Sequence, residues 1–365
     1  MACSANTTNC NVSIDCFRKN VYPMAYSIIS IVGFIGNGFV LCVLIRTYQA
    51  KTSFQIFMLN LAISDLLFVC TLPLRVAYYL NEGNWLFGDL LCRISSYAMY
   101  VNLYCSILFM AAMSFFRCIA IVFPMQNLHY ITEKKAIMVC CTIWISVTLM
   151  ATPFLLGGSY RDTETNKTKC LEPPQPDQML KVAILHYIAL FIGFIFPLIV
   201  IAICYTMIIR TLMKNSPYKK RSARKKAIWM IVIVTLTFLF SFTPYHIQRT
   251  VHIHVVLRRG SDCEKIIFVQ KMVIITLSLA ACNCCFDPLL YFFSGGNFLR
   301  RLSTLINESA VPSLPELHRN KISLKNLEDN PIEEKVPKSS GTVALLFCRS
   351  CHSSDEAESR KAINI

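Results

Sequence analysis

Seven apolar stretches, each long enough to cross a lipid bilayer, run through this chain of 365 residues. A membrane-spanning helix needs about 20 consecutive and mostly apolar residues. The composition, with 55% hydrophobic and 16% charged residues, is also typical of a multi-pass membrane protein. We therefore predict an all-α membrane protein, a seven-transmembrane helix bundle. The stretches lie near residues 22–47, 54–80, 90–122, 135–157, 181–213, 224–256 and 266–294.

The distribution of positive charge predicts how the bundle is oriented. Six basic residues lie within residues 219–226, between spans five and six, and Arg300 and Arg301 follow span seven. Because basic loops stay in the cytoplasm, we expect the carboxyl terminus inside and the amino terminus outside, at the plasma membrane. The net charge of +15 is then explained by the inner lipid surface and by cytoplasmic partners, and no nucleic acid is expected.

Three regions follow from this orientation. Residues 1–21 are polar, with no apolar h-region and no small-residue cleavage site, so we expect an extracellular segment without a cleavable signal peptide. Residues 22–305 form the membrane domain, which includes a short interfacial eighth helix near Gly296–Leu302, where apolar and basic residues alternate at helical spacing. Residues 306–365 are polar and are expected to be a disordered cytoplasmic tail.

Glycosylation sequons support the same orientation. Asn6, Asn11 and Asn166 each begin an Asn-x-Ser/Thr triplet, and all three fall on the predicted outer face. Asn307 begins a fourth triplet on the inner side, where glycosylation does not occur. The joint placement of the three outer triplets is therefore the signal, since a single triplet is common by chance.

Two disulfides are expected on the outer face, because this compartment is oxidising. Cys92 opens span three and Cys170 lies in the loop after span four, so a bond between them would hold that loop across the mouth of the bundle. Cys263, between spans six and seven, needs a partner from the amino-terminal segment. From the sequence, Cys10 and Cys16 are both candidates, and free thiols are the alternative to either bond.

Polar groups in the middle of the spans indicate a buried cluster. A charge in hydrocarbon costs roughly 2.5–3.5 kcal/mol on insertion scales, so it needs a reason. The carboxylate, amide and hydroxyl oxygens suit a sodium ion or a shared proton, whereas the alternative is a polar network satisfied by water. The candidate residues are Asp65, Ser106, Asn283 and Asp287, with Asn37 beside them.

In order and spacing, several motifs resemble those of the rhodopsin-type G-protein-coupled receptors over roughly residues 20–305. The motifs are Gly36-Asn37, Leu61-Ala62-x-x-Asp65, Cys92 with Cys170, Arg117, Trp144, Pro197 with Tyr205, Phe242-x-Pro244 and Asp287-Pro288-x-x-Tyr291. The resemblance implies a ligand pocket open to the outside, an inner cavity that opens when span six swings outward, and a heterotrimeric G protein as partner. It also implies four activation-switch residues, namely Arg117, Tyr205, Phe242 and Tyr291.

The chain departs from the family pattern around Arg117. The preceding residue, usually acidic, is Phe116, the following residue, usually tyrosine, is Cys118, and the inner end of span six offers Arg224 instead of a carboxylate. The usual ionic lock is therefore not expected, and we predict measurable basal signalling.

The outer half of the bundle narrows the class of ligand. Span three has Met99 where amine receptors have an aspartate, and the turn of span seven where an opsin carries its Schiff-base lysine reads Leu279-Ala280-Ala281-Cys282. The outer half of the bundle has instead two arginines, Arg75 and Arg249, with tyrosines at similar depths in the membrane. Guanidinium groups beside apolar walls suit an elongated anionic ligand. The alternative is that both arginines reach water or pair with Glu172 or Asp177.

Longer strings, such as Thr71-Leu72-Pro73-Leu74-Arg75 and Pro244-Tyr245-His246-Ile247-Gln248-Arg249, resemble the cysteinyl leukotriene receptors. That resemblance implies a cysteinyl leukotriene ligand, a Cys10–Cys263 disulfide, Gq-type coupling with calcium release, and arrestin and receptor kinases acting on the tail. The alternative within the same fold is a purinergic-type nucleotide receptor. The ligand-binding residues carried over are Arg18, Arg75, Tyr100, Tyr104, Tyr245, Arg249 and Gln270.

Other functional classes fit less well. A transporter would show internally repeated hydropathy and helices broken by glycine, and neither pattern is present. An intramembrane hydrolase needs a paired nucleophile and base or a metal site. His246, His252 and His254 stand near the outer end of span six without companion carboxylates and are expected at the pocket rim or facing solvent. No enzyme activity and no cofactor, apart from the candidate sodium ion, are therefore expected.

Overall fold

The computed structural model describes residues 10–46, 52–124, 131–163, 165–170, 179–214, 221–257 and 263–294. These residues contain seven helices that are long and apolar enough to cross a membrane, which confirms the predicted architecture. The spans are Cys16–Arg46, Ser53–Leu80, Gly88–Val122, Glu133–Ala151, Leu180–Lys214, Ala227–Leu257 and Glu264–Tyr291. The predicted eighth helix and the tail, residues 306–365, lie outside the described residues.

Most spans consist of more than one helical segment. Spans one and three are the single helices α1 (Cys10–Arg46) and α4 (Gly88–Val122). Spans two, four and seven are the pairs α2 (Ser53–Val69) and α3 (Leu72–Leu80), α5 (Glu133–Ala151) and α6 (Pro153–Leu156), and α11 (Cys263–Ala281) and α12 (Asn283–Ser294). In span five a π-helical turn, Phe191–Ile195, separates α7 (Met179–Leu190) from α8 (Phe196–Lys214), and in span six Phe238–Phe242 separates α9 (Arg221–Thr237) from α10 (Thr243–Leu257).

Proline explains where four of these interruptions occur. A proline lacks the backbone N–H and its ring crowds the preceding turn, so the helix before it breaks or widens. Spans two and four restart with Pro73 and Pro153 in their first turn. The π-helical turns of spans five and six end directly before the segments that carry Pro197 and Pro244.

In span seven the proline does not interrupt the helix. Pro288 lies inside α12 without interrupting it, and its missing N–H leaves the carbonyl of Cys284, four residues earlier, without a helical partner. Asn37 of span one donates from Nδ2 to this carbonyl oxygen at 2.8 Å and to the carbonyl of Gly33 at 3.0 Å. The neighbouring Gly36 lets the helices approach, since a Cβ there would lie 2.9 Å from Cγ of Pro288. The Gly36-Asn37 pair therefore joins span one to span seven.

A small hairpin covers one end of the bundle, which we call the outer end. Strands β1 (Tyr160–Arg161) and β2 (Thr168–Lys169) pair antiparallel in the loop after span four. The carbonyl of Thr168 accepts from the backbone N–H of Trp85 at 2.8 Å, and its own N–H donates to Oδ1 of Asn84 at 3.0 Å. The opposite end, with Arg117, is the inner end.

Span one begins earlier than its apolar stretch predicts. The helix starts at Cys10, so residues 10–21, assigned to the polar amino-terminal segment, continue it outward. Ile14 in this extension and Tyr22 directly after it are buried and belong to a second hydrophobic cluster at the outer end, which also includes Tyr78 and Trp85. The extension is helical because its apolar side packs against the loops of the outer end.

The Asn37 linkage predicts a stability effect. Replacing Asn37 by Leu removes the donor and leaves the Cys284 carbonyl buried without a partner, which costs about 1–3 kcal/mol. We expect the apparent melting temperature of the detergent-purified protein to fall by several degrees. Thr142→Val is the control, because Thr142 faces outward and bonds only within its own helix, to Met138. Equal melting of both variants and the parent would contradict the proposed linkage.

Candidate functional site

Arg75 is buried in the outer half of the bundle. Its side chain on α3 is 4% exposed, donates from Nε to Oγ of Ser95 at 3.1 Å and from Nη2 to the carbonyl of Ser95 at 2.7 Å. Its guanidinium carbon lies 6.0 Å from the ring centroid of Tyr26. Within the described ranges no carboxylate pairs with Arg75. The positive charge is therefore held by neutral acceptors and an aromatic ring and is available to an anion.

Arg249 lies among phenols. Its guanidinium interacts electrostatically with four phenols, those of Tyr100, Tyr245, Tyr104 and Tyr22. Tyr100 also stacks on Phe154, with ring centroids 3.5 Å apart. In the described part of the chain Arg249, like Arg75, has no ion pair. The structure thus brings five of the seven predicted ligand residues into one region.

The other two predicted ligand residues lie on spans one and seven. Arg18, on the outer extension of span one, interacts electrostatically with Tyr22 and His252. Gln270 is half-buried in the outer part of span seven. Sequence reasoning missed Tyr22 and Tyr26, whose rings stack with their centroids 4.9 Å apart. Both phenols are close enough to Arg75 for an electrostatic interaction with its guanidinium. The sequence signal for this pair was the spacing of four residues, which places both rings on one face of the helix, together with the nearby Arg18 and Arg75.

The histidines of span six contradict one expectation. His246 is 1% exposed and His252 is also buried, so neither lies at the rim or faces solvent. The His246 ring stacks on Phe194 of span five at 4.3 Å and lies 6.0 Å from the Tyr104 ring. His254 is exposed as expected and bonds the Tyr187 hydroxyl at 2.6 Å. Burial of His246 results from Phe194, which belongs to another span.

The outer loops are fastened over this region. Cys92 and Cys170 form the expected disulfide. Glu82 accepts from Lys19 at 3.0 Å and from Lys167 at 3.4 Å, and these lysines hold its carboxyl pKa below the usual range. The loop after span four is thus joined to span one and to the turn between spans two and three.

The second predicted disulfide is described only in part. Cys16 is disulfide-bonded, whereas the side chains of Cys10 and Cys263 lie outside the described part of the structure. The Cys10–Cys263 bond therefore stays a prediction. Of the glycosylation candidates, Asn6 and the side chain of Asn11 are also outside this part, while Asn166 is exposed in the hairpin and its Oδ1 accepts from Arg161 at 2.7 Å.

The predicted mid-membrane cluster assembles from four spans. Asp65, Ser106, Asn283 and Asp287 are all fully buried. Five buried oxygens in this part of the structure, Oδ1 of Asn37, Oδ2 of Asp65, Oγ of Ser106, Oδ1 of Asn283 and Oδ1 of Asp287, have no hydrogen-bond partner. A set of unpartnered carboxylate, amide and hydroxyl oxygens fits a small hard cation.

Asn102 belongs to this cluster and was missed. It donates from Nδ2 to Oδ1 of Asp65 at 2.8 Å, which leaves Oδ2 of the same carboxylate unpaired. Asn102 precedes Ser106 by four residues, so both lie on one face of span three. That spacing was a usable sequence signal.

The four switch candidates lie at different depths. Phe242 is fully buried in the π-helical turn of span six and packs edge-on against Phe238. Tyr205 pairs with the hydroxyl of Ser114 at 2.8 Å, and the Tyr291 hydroxyl donates to the carbonyl of Met58. Arg117 is half-buried at the inner end of span three.

Comparison with known proteins assigns the family. Residues 36–291 match the 7 transmembrane receptor (rhodopsin family). The chain belongs to the rhodopsin family of seven-transmembrane receptors. It is 60% identical to cysteinyl leukotriene receptor 1 of Cavia porcellus over 88% of this chain and 94% of that one, and 58% identical to the Homo sapiens receptor 1 over 88% and 95%. It is 40% identical to cysteinyl leukotriene receptor 2 of Mus musculus over 82% and 96%.

Membership in the rhodopsin family settles several coarse properties. The chain is a multi-pass membrane receptor and not an enzyme, and its partners are a ligand and a heterotrimeric G protein. The identity to the type 1 relatives, 58–60%, is higher than the 40% identity to the type 2 relative.

Gly193 gives a test of how the site is shaped. A Cβ at Gly193 would lie 2.7 Å from Cδ1 of Tyr104, so the Gly193→Ala variant is expected to lose about 1–3 kcal/mol through overpacking. A Cβ at Gly38 meets nothing within 4 Å, and Gly38→Ala should be neutral or stabilising by about 0.5–1 kcal/mol. Thermal unfolding of both variants measures the difference, and identical melting would contradict contact between Gly193 and Tyr104.

Proposed function

We propose that this rhodopsin-family receptor recognises cysteinyl leukotrienes, which are anionic lipid mediators. The observation that carries the proposal is the pair Arg75 and Arg249, held in the outer half of the bundle among tyrosine rings and without a carboxylate partner in the described residues. The names of the relatives at 58–60% identity point to the same ligand class.

The chemistry of the pocket suits a ligand with carboxylates and a long apolar tail. A guanidinium binds a carboxylate through two parallel N–H donors, so Arg75 and Arg249 anchor separate anionic groups. Tyr100, Tyr104 and Tyr245 offer hydroxyl donors together with flat apolar surface. The aromatic and aliphatic walls then remove the hydrocarbon part of the ligand from water. Arg18 and Gln270 complete the polar contacts near the entrance.

Signalling proceeds to the inner end through the G protein. The proposed orientation has the amino terminus outside and the carboxyl terminus in the cytoplasm of a cell whose plasma membrane holds the bundle. Four residues act as activation switches, namely Arg117, Tyr205, Phe242 and Tyr291. Coupling is of the Gq type and leads to calcium release. Receptor kinases and arrestin act on the cytoplasmic tail. The basic loop between spans five and six supports this orientation.

A sodium ion completes the proposed assignment of the mid-membrane cluster. Asp65, Ser106, Asn283 and Asp287 would hold it, and Asn102 would keep the Asp65 carboxylate in place. The ion supplies positive charge that offsets two buried carboxylates at the centre of the bundle. A shared proton between the carboxyl groups is the alternative that the same residues allow.

The ligand proposal is tested by calcium recording. The parent, Arg75→Ala and Arg249→Ala are expressed in cells lacking leukotriene and nucleotide receptors and exposed to a cysteinyl leukotriene or a nucleoside diphosphate. We expect the parent to respond to the leukotriene alone. Each variant should need roughly 10- to 100-fold more ligand, because a charge-assisted hydrogen bond is worth about 1.5–3 kcal/mol.

Arg161→Ala is the matched control, since Arg161 is exposed in the hairpin and bonds Asn166. It should respond like the parent at equal surface expression. A response to the nucleotide alone would assign the receptor to the purinergic type, and unchanged leukotriene potency in both pocket variants would remove the arginines from the site.

The sodium proposal is tested by salt exchange. The purified receptor should melt at a higher temperature in sodium chloride than in choline chloride, because an ion that binds the folded state stabilises it. Asp65→Asn should melt alike in both salts. Equal melting of the parent in both salts would exclude the sodium ion and leave the shared proton or the water network.

A further inference from the structure

An aromatic ring of span two contacts the switch arginine of span three. The guanidinium carbon of Arg117 lies 4.5 Å from the ring centroid of Phe54. A cation attracts the negative face of an aromatic ring when it lies within about 6 Å of the centroid. Phe54 is half-buried and packs against the main hydrophobic cluster of the bundle. The contact is therefore a cation–π interaction between the inner ends of two spans.

The position of the Phe54 ring is fixed by the start of its helix. Thr52 is the N-cap of α2, and its Oγ1 accepts from the backbone N–H of Gln55 at 3.3 Å. In return, Oε1 of Gln55 accepts from the backbone N–H of Thr52 at 3.1 Å. This reciprocal pair, a capping box, encloses Phe54 in the first turn and limits fraying. The ring thus meets Arg117 from an ordered helix end.

The two chain neighbours of Arg117 are both buried. Phe116 packs edge-on against Phe57 of span two at 4.9 Å, and Cys118 is buried. Tyr205 of span five lies close enough for an electrostatic interaction with the guanidinium. The Arg117 guanidinium thus lies near both the Phe54 ring and the Tyr205 phenol.

We infer that Phe54 is a positioning residue that holds Arg117 against span two and thereby restrains activation of the G protein. The inference rests on the proposed role of Arg117 as an activation switch. A G protein that engages Arg117 at the inner end must replace the attraction of the ring, so the contact favours the uncoupled state. The restraint depends on the π face of the ring and not on its bulk.

Ligand-free nucleotide exchange measures the restraint. Parent, Phe54→Leu and Phe54→Trp receptors are reconstituted in lipid at equal amounts with the heterotrimer that the parent activates best. Leucine keeps apolar volume but has no π face, and we expect exchange to rise roughly two- to fivefold. Tryptophan provides the strongest π face, so its exchange should equal or fall below that of the parent. If Phe54→Leu does not fold, Phe54→Met replaces it as the variant without a ring.

Two outcomes overturn the inference. Exchange of the ringless variant equal to that of the parent would show that the contact restrains nothing. An equal rise in Phe54→Leu and Phe54→Trp would show that packing, and not the π face, matters at this position. Phe115→Leu is the matched control, because this ring is exposed on span three close to Arg117 and should leave exchange unchanged.

Arg117→Ala separates this inference from the function on which it rests. If Arg117→Ala leaves ligand-free exchange unchanged, Arg117 is not a switch and the role of Phe54 fails with it. If Arg117→Ala changes exchange and Phe54→Leu does not, the positioning role alone fails. No leukotriene is needed for the basal measurement, so the result does not depend on the identity of the ligand.

Discussion

The absence of water in a bilayer core is the constraint on which this structure depends. Every backbone and side-chain polar group in a span must find its partner within the protein, because hydrocarbon offers none. Asn37 shows how closely this is met, since its side-chain amide takes up the carbonyl that Pro288 deprives of a helical donor. Trp144 similarly donates from its indole to Oδ1 of Asn60, which joins span four to span two.

The polar groups on which the proposals depend lie at three levels of the bundle. The unpartnered oxygens cluster around Asp65 and Asp287 at mid-membrane. The guanidinium groups of Arg75 and Arg249 lie further out, among rings and hydroxyls. Arg117 lies at the inner end against Phe54. Charged groups thus lie at the outer, middle and inner levels of the bundle. A signal that passes from an outer ligand to an inner partner would meet them in that order.

The sequence predicts the seven spans and most of the polar residues that matter, because a polar residue is conspicuous in an apolar stretch. Arg75, Arg249 and Asp65 are found in this way. The face that each span turns inward is harder to predict, since a helix in lipid is apolar on both its buried and its exposed sides. Asn102 and Tyr26 were missed for this reason, although Asn102 has a helical spacing to Ser106.

Packing contacts between side chains of different spans could not be predicted from the sequence. Burial of His246 depends on Phe194, and the outward extension of span one depends on the cluster that Ile14 joins. Both require knowledge of which spans are neighbours. The π-helical turns before Pro197 and Pro244 likewise show how a helix accommodates a proline, where the sequence indicates only that it must.

The attachment of the hairpin makes the entrance of the bundle asymmetric. On one side, Thr168 and Cys170 bind the hairpin to the turn after span two and to span three, so these elements form a single stiff wall. On the other side, spans five and six are joined at the outer end by side-chain pairs, His186 with Thr250 and Tyr187 with His254. Such pairs break and reform more readily than a covalent bond. A wider ligand would therefore enter by separating the outer ends of spans five and six. The opposite wall would stay in place, and its fixed shape would limit which ligands fit.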